Sequence, residues 1–229
     1  MIVILNHKSN LKKEEFLAYL KEYETLKTYS HNLILIPSNC YLPYLESKNF
    51  LYGSQDVSCK DLGNYTGELP ASMLKSLNVK YVLINHSDRL LKMNETLEIS
   101  KQKLTRAIKE DLIPIICIGD LPFTNNKEQT LKTLKNELNY LLKDLNISNY
   151  YIAYEPVSAI GTNTLPPTSF LDFIITNLKK EYNTKVLYGG SVTSQTVSSL
   201  KTIPSLDGLL LGNSSRNITE LQKILTNIS

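Results

Sequence analysis

The sequence predicts an α/β protein of one domain spanning residues 1–229, a closed (β/α)₈ barrel, and two observations carry that expectation. Short, continuously apolar runs recur eight times along the chain, and longer segments with helical spacing lie between them. A run that is apolar throughout, instead of at alternate positions, is what a strand buried on both faces looks like. Strands separated by crossovers of a dozen or more residues pair in parallel, with the crossovers packed outside the sheet.

The runs are Ile2 to Leu5, Leu33 to Ile36, Leu51 to Gln55, Tyr81 to Ile84, Ile113 to Ile118, Tyr151 to Tyr154, Lys185 to Tyr188 and Gly208 to Leu211. Helical spacing is clearest over Glu14 to Leu26, Leu97 to Lys109, Glu128 to Asp144 and Ser169 to Lys180. In the third of these, Leu131, Leu134, Leu138, Leu141, Leu142 and Leu145 form one apolar stripe between lysines and acids. Eight units in 229 residues fit the barrel, although that fold usually takes about 250. A doubly wound open sheet is the structural alternative. No Pro- or Ser-rich linker divides the chain and no internal repeat is visible, so one domain is the economical reading.

Composition narrows the classes of function. With 42% hydrophobic and 21% charged residues, and only 9 Gly and 9 Pro, the chain is neither disordered nor collagenous. A net charge of +3 is too small to argue for nucleic acid or an anionic membrane as the main partner. Cys40, Cys59 and Cys117 are an odd set without a CxxC, which suggests neither a disulfide framework nor a zinc site. No run approaches the roughly 18 apolar residues of a bilayer span, and Ile2 to Leu5 is too short for a signal-peptide core. A cytoplasmic location is expected.

In a parallel barrel the chemistry gathers just beyond the carboxyl ends of the strands. There the chain carries Asn6, His7, Lys8, Ser9 and Asn10 after the first run, and Asn85, His86, Ser87, Asp88 and Arg89 after the fourth. Glu155 follows the sixth, and Gly189, Gly190, Ser191 and Gly212, Asn213, Ser214 follow the last two. Glycines in such places permit close backbone approach to a ligand.

Eight motifs occur in order: NHKSN, YGSQD, GNYTGELP, INHSDR, PIICIGD, AYEPVSAIGT, LYGGSV and DGLLLGN. On these motifs the chain resembles the triosephosphate isomerase family from Asn6 to Gly212, and so a TIM barrel. The resemblance implies an isomerase of glycolysis and gluconeogenesis that interconverts dihydroxyacetone phosphate and D-glyceraldehyde 3-phosphate through an enediolate, with no metal and no organic cofactor.

It also implies roles. Glu155 matches the general base, a carboxylate able to take a carbon-bound proton and return it to the neighbouring carbon. His86 matches the electrophile, a neutral imidazole, this family being the standard worked case of that assignment. Lys8 supplies a fixed positive charge and Asn6 a neutral donor, both acting as preorganised electrostatics. Backbone amides of Gly161, Ser191, Gly212 and Asn213 would bind phosphate. Pro156 to Leu165 resembles the lid that excludes water, with Pro156 and Val157 in its entry hinge. GNYTGELP matches the intersubunit loop, which predicts a homodimer with Thr66 and Tyr65 at the interface. Each residue alone has a bland alternative: a salt-bridged carboxylate for Glu155, a satisfied core histidine for His86, a solubilising lysine for Lys8, ordinary turns for the glycines. The bland reading does stand for Cys117, flanked by Ile115, Ile116 and Ile118 as a packing residue would be.

Several positions depart from the family pattern. Asp88 stands where the family has Glu, and one methylene less tests whether the carboxylate still reaches the lysine. Ser158 replaces the lid tryptophan and Asp120 the glutamate after the fifth strand, a pair that interacts in the family. Asn85 and Asn213 replace glycines, and His7 replaces an aromatic; Asn tolerates left-handed backbone better than most residues. Asp88, Ser158 and Asn213 motivate a second reading, a catalytically weakened phosphate-binding or scaffold protein. A third, another phosphosugar enzyme such as an epimerase, would need a loss of motif order that is absent.

Overall fold

The computed structural model describes residues 1–28, 31–120, 124–156 and 165–229. Eight parallel strands close in sequence order: β1 Ile2–Asn6, β2 Asn32–Ile36, β3 Leu51–Ser54, β4 Tyr81–Ile84, β5 Ile113–Ile118, β6 Tyr151–Tyr154, β7 Lys185–Tyr188 and β8 Gly208–Leu211. Closure is made by β1 against β8, with Ile2 opposite Gly208 and Leu5 opposite Leu211. All eight apolar runs of the sequence are strands, and the open sheet is excluded.

Two buried sets explain the continuous apolar character. Ile2, Ile4, Ile34, Ile36, Leu83, Ile115, Cys117, Ala153, Leu187 and Leu210 form one cluster at alternate strand positions, the filling of the barrel. Val3, Leu5, Leu35, Val82, Ile116, Ile152, Val186 and Leu209, the positions between, join the helices in a second cluster. Tyr81 and Tyr151 stack at the amino end of the barrel, ring centroids 6.1 Å apart. Gly208 marks the tightest approach of the seam, since a Cβ there would lie 2.4 Å from the Ile2 carbonyl oxygen.

The outer helices are α1 Lys13–Tyr23, α2 Ala71–Ser76, α3 Ser87–Lys92, α4 Leu97–Lys109, α5 Lys127–Leu142, α6 Thr168–Tyr182, α7 Val197–Lys201 and α8 Ile218–Ile228. Thr96, Asn126 and Asn217 cap α4, α5 and α8 by accepting from the amides of Ile99, Gln129 and Glu220. The first helix is shorter than its spacing predicts: it tightens into a 3₁₀ turn over Glu24–Thr28. Between β2 and β3 the crossover is only a 3₁₀ turn, Asn39–Leu45, with Pro43 inside it. Proline lacks the amide an α-helix would need at that point.

The 63–70 loop is organised without regular structure. The Ser58 amide donates to the Leu69 carbonyl at 2.9 Å, and the Ser58 hydroxyl bonds the Glu68 carboxylate. Gly67 takes a φ of 90° that a side chain would resist. Tyr65 at its tip is 49% exposed.

The β1–β8 seam gives a direct test. Gly208→Ala forces the two strands apart and is expected to cost roughly 1–3 kcal/mol, read as a melting temperature several degrees below wild type in a calorimetric scan.

Candidate active site

A cleft of about 910 Å³ opens at the carboxyl end of the barrel, and Asn6, Lys8, His86, Glu155, Ser191, Gly212 and Asn213 all line it. These come from the ends of five strands, so only barrel closure brings them together. Gly161 and Ser158 lie outside the described residues, as does the lid between Pro156 and Leu165. Thr66 and Tyr65 stand on their exposed loop, away from this cleft.

Lys8 has φ 52°, a left-handed conformation unusual for a lysine. Three bonds hold it there. Its amide donates to Asn6 Oδ1 at 3.0 Å, and its carbonyl accepts from Ser38 Oγ at 2.9 Å and Gln55 Nε2 at 2.7 Å. The ammonium then reaches Asp88 Oδ2 at 2.8 Å. The shorter carboxylate therefore still contacts the lysine. Burial alone would raise the Asp88 pKa, but hydrogen bonds from Lys8 and Lys92 and the charge of Lys8 outweigh it and hold the group at about 2.

His86 is the N-cap of α3. Its Nδ1 accepts the Asp88 amide hydrogen at 3.1 Å, so Nδ1 carries no proton and the hydrogen of the neutral ring sits on Nε2. Nε2 faces Glu155 Oε1 at 3.3 Å and lies 3.2 Å from Asn6 Nδ2. With the Asn6 oxygen engaged by the Lys8 amide, two N–H donors converge on one region of the cleft. An oxygen atom of a ligand is what would satisfy both.

Glu155 is 3% exposed, and its Oε2 accepts from Ser87 Oγ at 2.7 Å. Room for it comes from Gly189, where a Cβ would stand 2.8 Å from Glu155 Cγ. Asp120, one of the departures, accepts from the hydroxyl of Tyr154, the residue before Glu155, at 3.4 Å.

On the far side, Gly212 opens a 3₁₀ turn over Asn213–Arg216, and its carbonyl accepts from the amide and hydroxyl of Ser215 at 3.0 and 2.7 Å. Asn213 does not use the left-handed conformation its replacement of glycine suggested; its Oδ1 instead accepts from Arg216 at 3.0 Å. Asn85 does use it, with φ 64°. His7 behaves as the aromatic it replaces: buried, edge-on to Tyr19 at 4.4 Å, and held neutral by burial and the nearby Arg216, which push its pKa down to about 3. Cys117 is 1% exposed, with its thiol pKa raised by burial and by Glu155, as a packing residue requires.

The sequence assigned no role to Ser38, Gln55 or Ser87, although Gln55 and Ser87 lie within its motifs. It also missed Glu137 of α5, whose carboxylate accepts from Asn85 Nδ2 at 2.7 Å. No pattern separates that residue from the other charges of its helix. Burial first, then the Glu155 charge, pushes Glu137 up to about 7 against the pull of its bonds from Asn85 and Gly119.

That shift fixes a sign. A carboxyl whose folded pKa lies above its unfolded value holds a proton in the folded state that the unfolded chain has lost, so stability falls as pH rises between about 4.5 and 7. Urea unfolding at pH 5 and pH 8 should show this loss in wild type, and Glu137→Gln should flatten it.

A family model described as triosephosphate isomerase matches residues 1–228. Among curated relatives, the triosephosphate isomerase of Mycoplasma mobile is 32% identical over 233 residues, covering 96% of each chain. That of Buchnera aphidicola subsp. Schizaphis graminum is 33% identical over 226 residues, 92% of this chain and 89% of its own. That of Mesomycoplasma hyopneumoniae strain 232 is 36% identical over 183 residues, 79% of this chain and 76% of its own. A match from the first residue to the last but one, on a closed eight-stranded barrel, means that the chain belongs to the triosephosphate isomerase family.

Proposed function

We infer that Glu155, His86, Lys8 and Asn6 carry the reaction of this family in the present chain, the interconversion of dihydroxyacetone phosphate and D-glyceraldehyde 3-phosphate. The observation that carries the reading is the convergence of a buried carboxylate, an imidazole with its hydrogen on Nε2, and an ammonium on one cleft. Glu155 takes a proton from the carbon beside the substrate carbonyl, and the electron pair moves onto the carbonyl oxygen to give an enediolate. His86 Nε2–H and the Asn6 amide hydrogen-bond the oxygen on which charge develops, and Lys8 stabilises it by proximity. The hydroxyl proton of the enediolate is exchanged between its two oxygens through His86 Nε2, and Glu155 returns the carbon-bound proton to the adjacent carbon, so that carbonyl and hydroxyl change places. Substrate entering between Glu155 and His86 replaces their 3.3 Å contact.

The phosphate is held by the amides of Ser191, Gly212 and Asn213. Asn213 lines the cleft, and its side-chain oxygen is engaged by Arg216. The weakened-scaffold reading, which drew on Asp88, Ser158 and Asn213, is not favoured: Asp88 still reaches Lys8, at 2.8 Å.

The chain works as a homodimer, with Thr66 and Tyr65 entering a second copy. The preformed loop with exposed Leu62 and Tyr65 supports this. The reaction is cytoplasmic; among the described residues no helix is long and apolar enough to cross a membrane.

In a coupled assay with both triose phosphates, Glu155→Gln should lower kcat about 10³-fold or more, and His86→Gln about 10²-fold, with KM changed far less. Folded variants that keep wild-type turnover would remove these roles. Sedimentation equilibrium should give twice the 26.0 kDa chain mass, and a monomer at micromolar concentration would contradict the loop assignment.

A further inference from the structure

Behind the cleft, on the side away from substrate, Asn85 and Glu137 make a contact that the chemistry above does not use. Asn85 joins β4 to His86, is 2% exposed, and has φ 64°. Both hydrogens of its side-chain amide are engaged: Nδ2 donates to the Cys117 carbonyl in β5 at 2.9 Å and to Glu137 Oε1 in α5 at 2.7 Å. The other Glu137 oxygen accepts from the Gly119 amide at 3.4 Å. One carboxylate thus ties the ends of β4 and β5 to the helix packed behind them.

The next residue is His86. Its ring is aimed from one side by the Asp88 amide and from the other by the backbone direction that Asn85 imparts. We propose that Glu137 is a positioning residue for the isomerisation, holding the left-handed turn at Asn85 and, through it, the aim of the His86 imidazole. This rests on the reading of His86 as the electrophile.

Glycine, the residue the family resemblance leads one to expect at position 85, takes positive φ without help. Asparagine takes it with less strain than most side chains but still benefits from an anchor, and Glu137 supplies the side-chain half of it, beside the Cys117 carbonyl. The requirement for Glu137 therefore exists only while residue 85 carries a side chain to be anchored.

The test is a double-mutant cycle on the full chain, with wild type, Glu137→Ala, Asn85→Gly and the pair measured with both triose phosphates and checked for folding by circular dichroism. A small displacement of a catalytic group lowers turnover more than binding, so Glu137→Ala should reduce kcat about tenfold with KM within about twofold. Glu137→Gln, whose amide oxygen still accepts from Asn85, should recover kcat to within about threefold of wild type. With glycine at position 85, Glu137→Ala should change kcat by less than about twofold.

Should the alanine variant not fold, Glu137→Met fills a similar volume without an acceptor and enters the same cycle. The proposal is overturned if the folded Glu137 variant keeps the wild-type kcat, or if it costs the same factor in kcat with glycine at position 85. Loss of the His86 reading is a separate outcome, seen when His86→Gln itself retains wild-type turnover.

Discussion

Asp88 connects the two polar groups around which the site is built. Its main-chain amide binds His86 Nδ1 and its carboxylate binds the Lys8 ammonium. The first contact sets which ring nitrogen bears hydrogen and turns that hydrogen toward the cleft. The second sets how far the lysine charge extends from β1. Because both emanate from one residue in the first turn of α3, imidazole and ammonium are held in register by a single rigid unit. A carboxylate in that first turn also sits favourably in the field of the helix amino end. Lys92, one turn on, shares the same carboxylate at 2.6 Å, but it is largely exposed and adds little.

The barrel makes this arrangement possible by separating its two ends. At the amino end the stacked rings of Tyr81 and Tyr151 close the interior, and apolar layers fill the middle. Where the strands run out, Asn6, His86 and Glu155 are each buried but reach the cleft. A catalytic carboxylate at 3% exposure is costly unless its oxygens are engaged. Ser87 and His86 engage them.

The strands were legible in the amino-acid order because burial on both faces leaves no room for a polar alternate position. Every one of the eight runs proved to be a strand, and the main helices lie within two or three residues of their apolar stripes. The crossover after β2 carries no apolar helical stripe, and with Pro43 inside it the segment forms a 3₁₀ turn. His86, Glu155 and Lys8 were legible through the motifs around them, each of them alone having a bland alternative. Glu137 was not: it sits in mid-helix among lysines and acids, and only the three-dimensional path of α5 brings it behind Asn85.

Backbone conformation was the least legible feature, and there is a physical pattern in it. With only 9 glycines, the chain leaves several helices through Asn or Asp in the left-handed region: Asn78 after α2, Asn94 after α3, Asp111 after α4, Asp144 after α5 and Asn183 after α6. These residues tolerate that region at small cost, so they perform the turn that glycine commonly performs. Asn85 follows the same habit inside the site.

Lys8 is the exception that has no such tolerance. A left-handed lysine costs about 1–2 kcal/mol, and each of the three hydrogen bonds around it contributes about 0.5–1.5 kcal/mol, so the bonds are sufficient to offset the strain. Those bonds come from the ends of three successive strands, through Asn6, Ser38 and Gln55. None of them depends on a ligand. The ammonium is therefore aimed before substrate arrives, and the energy of binding phosphate is not consumed in turning it.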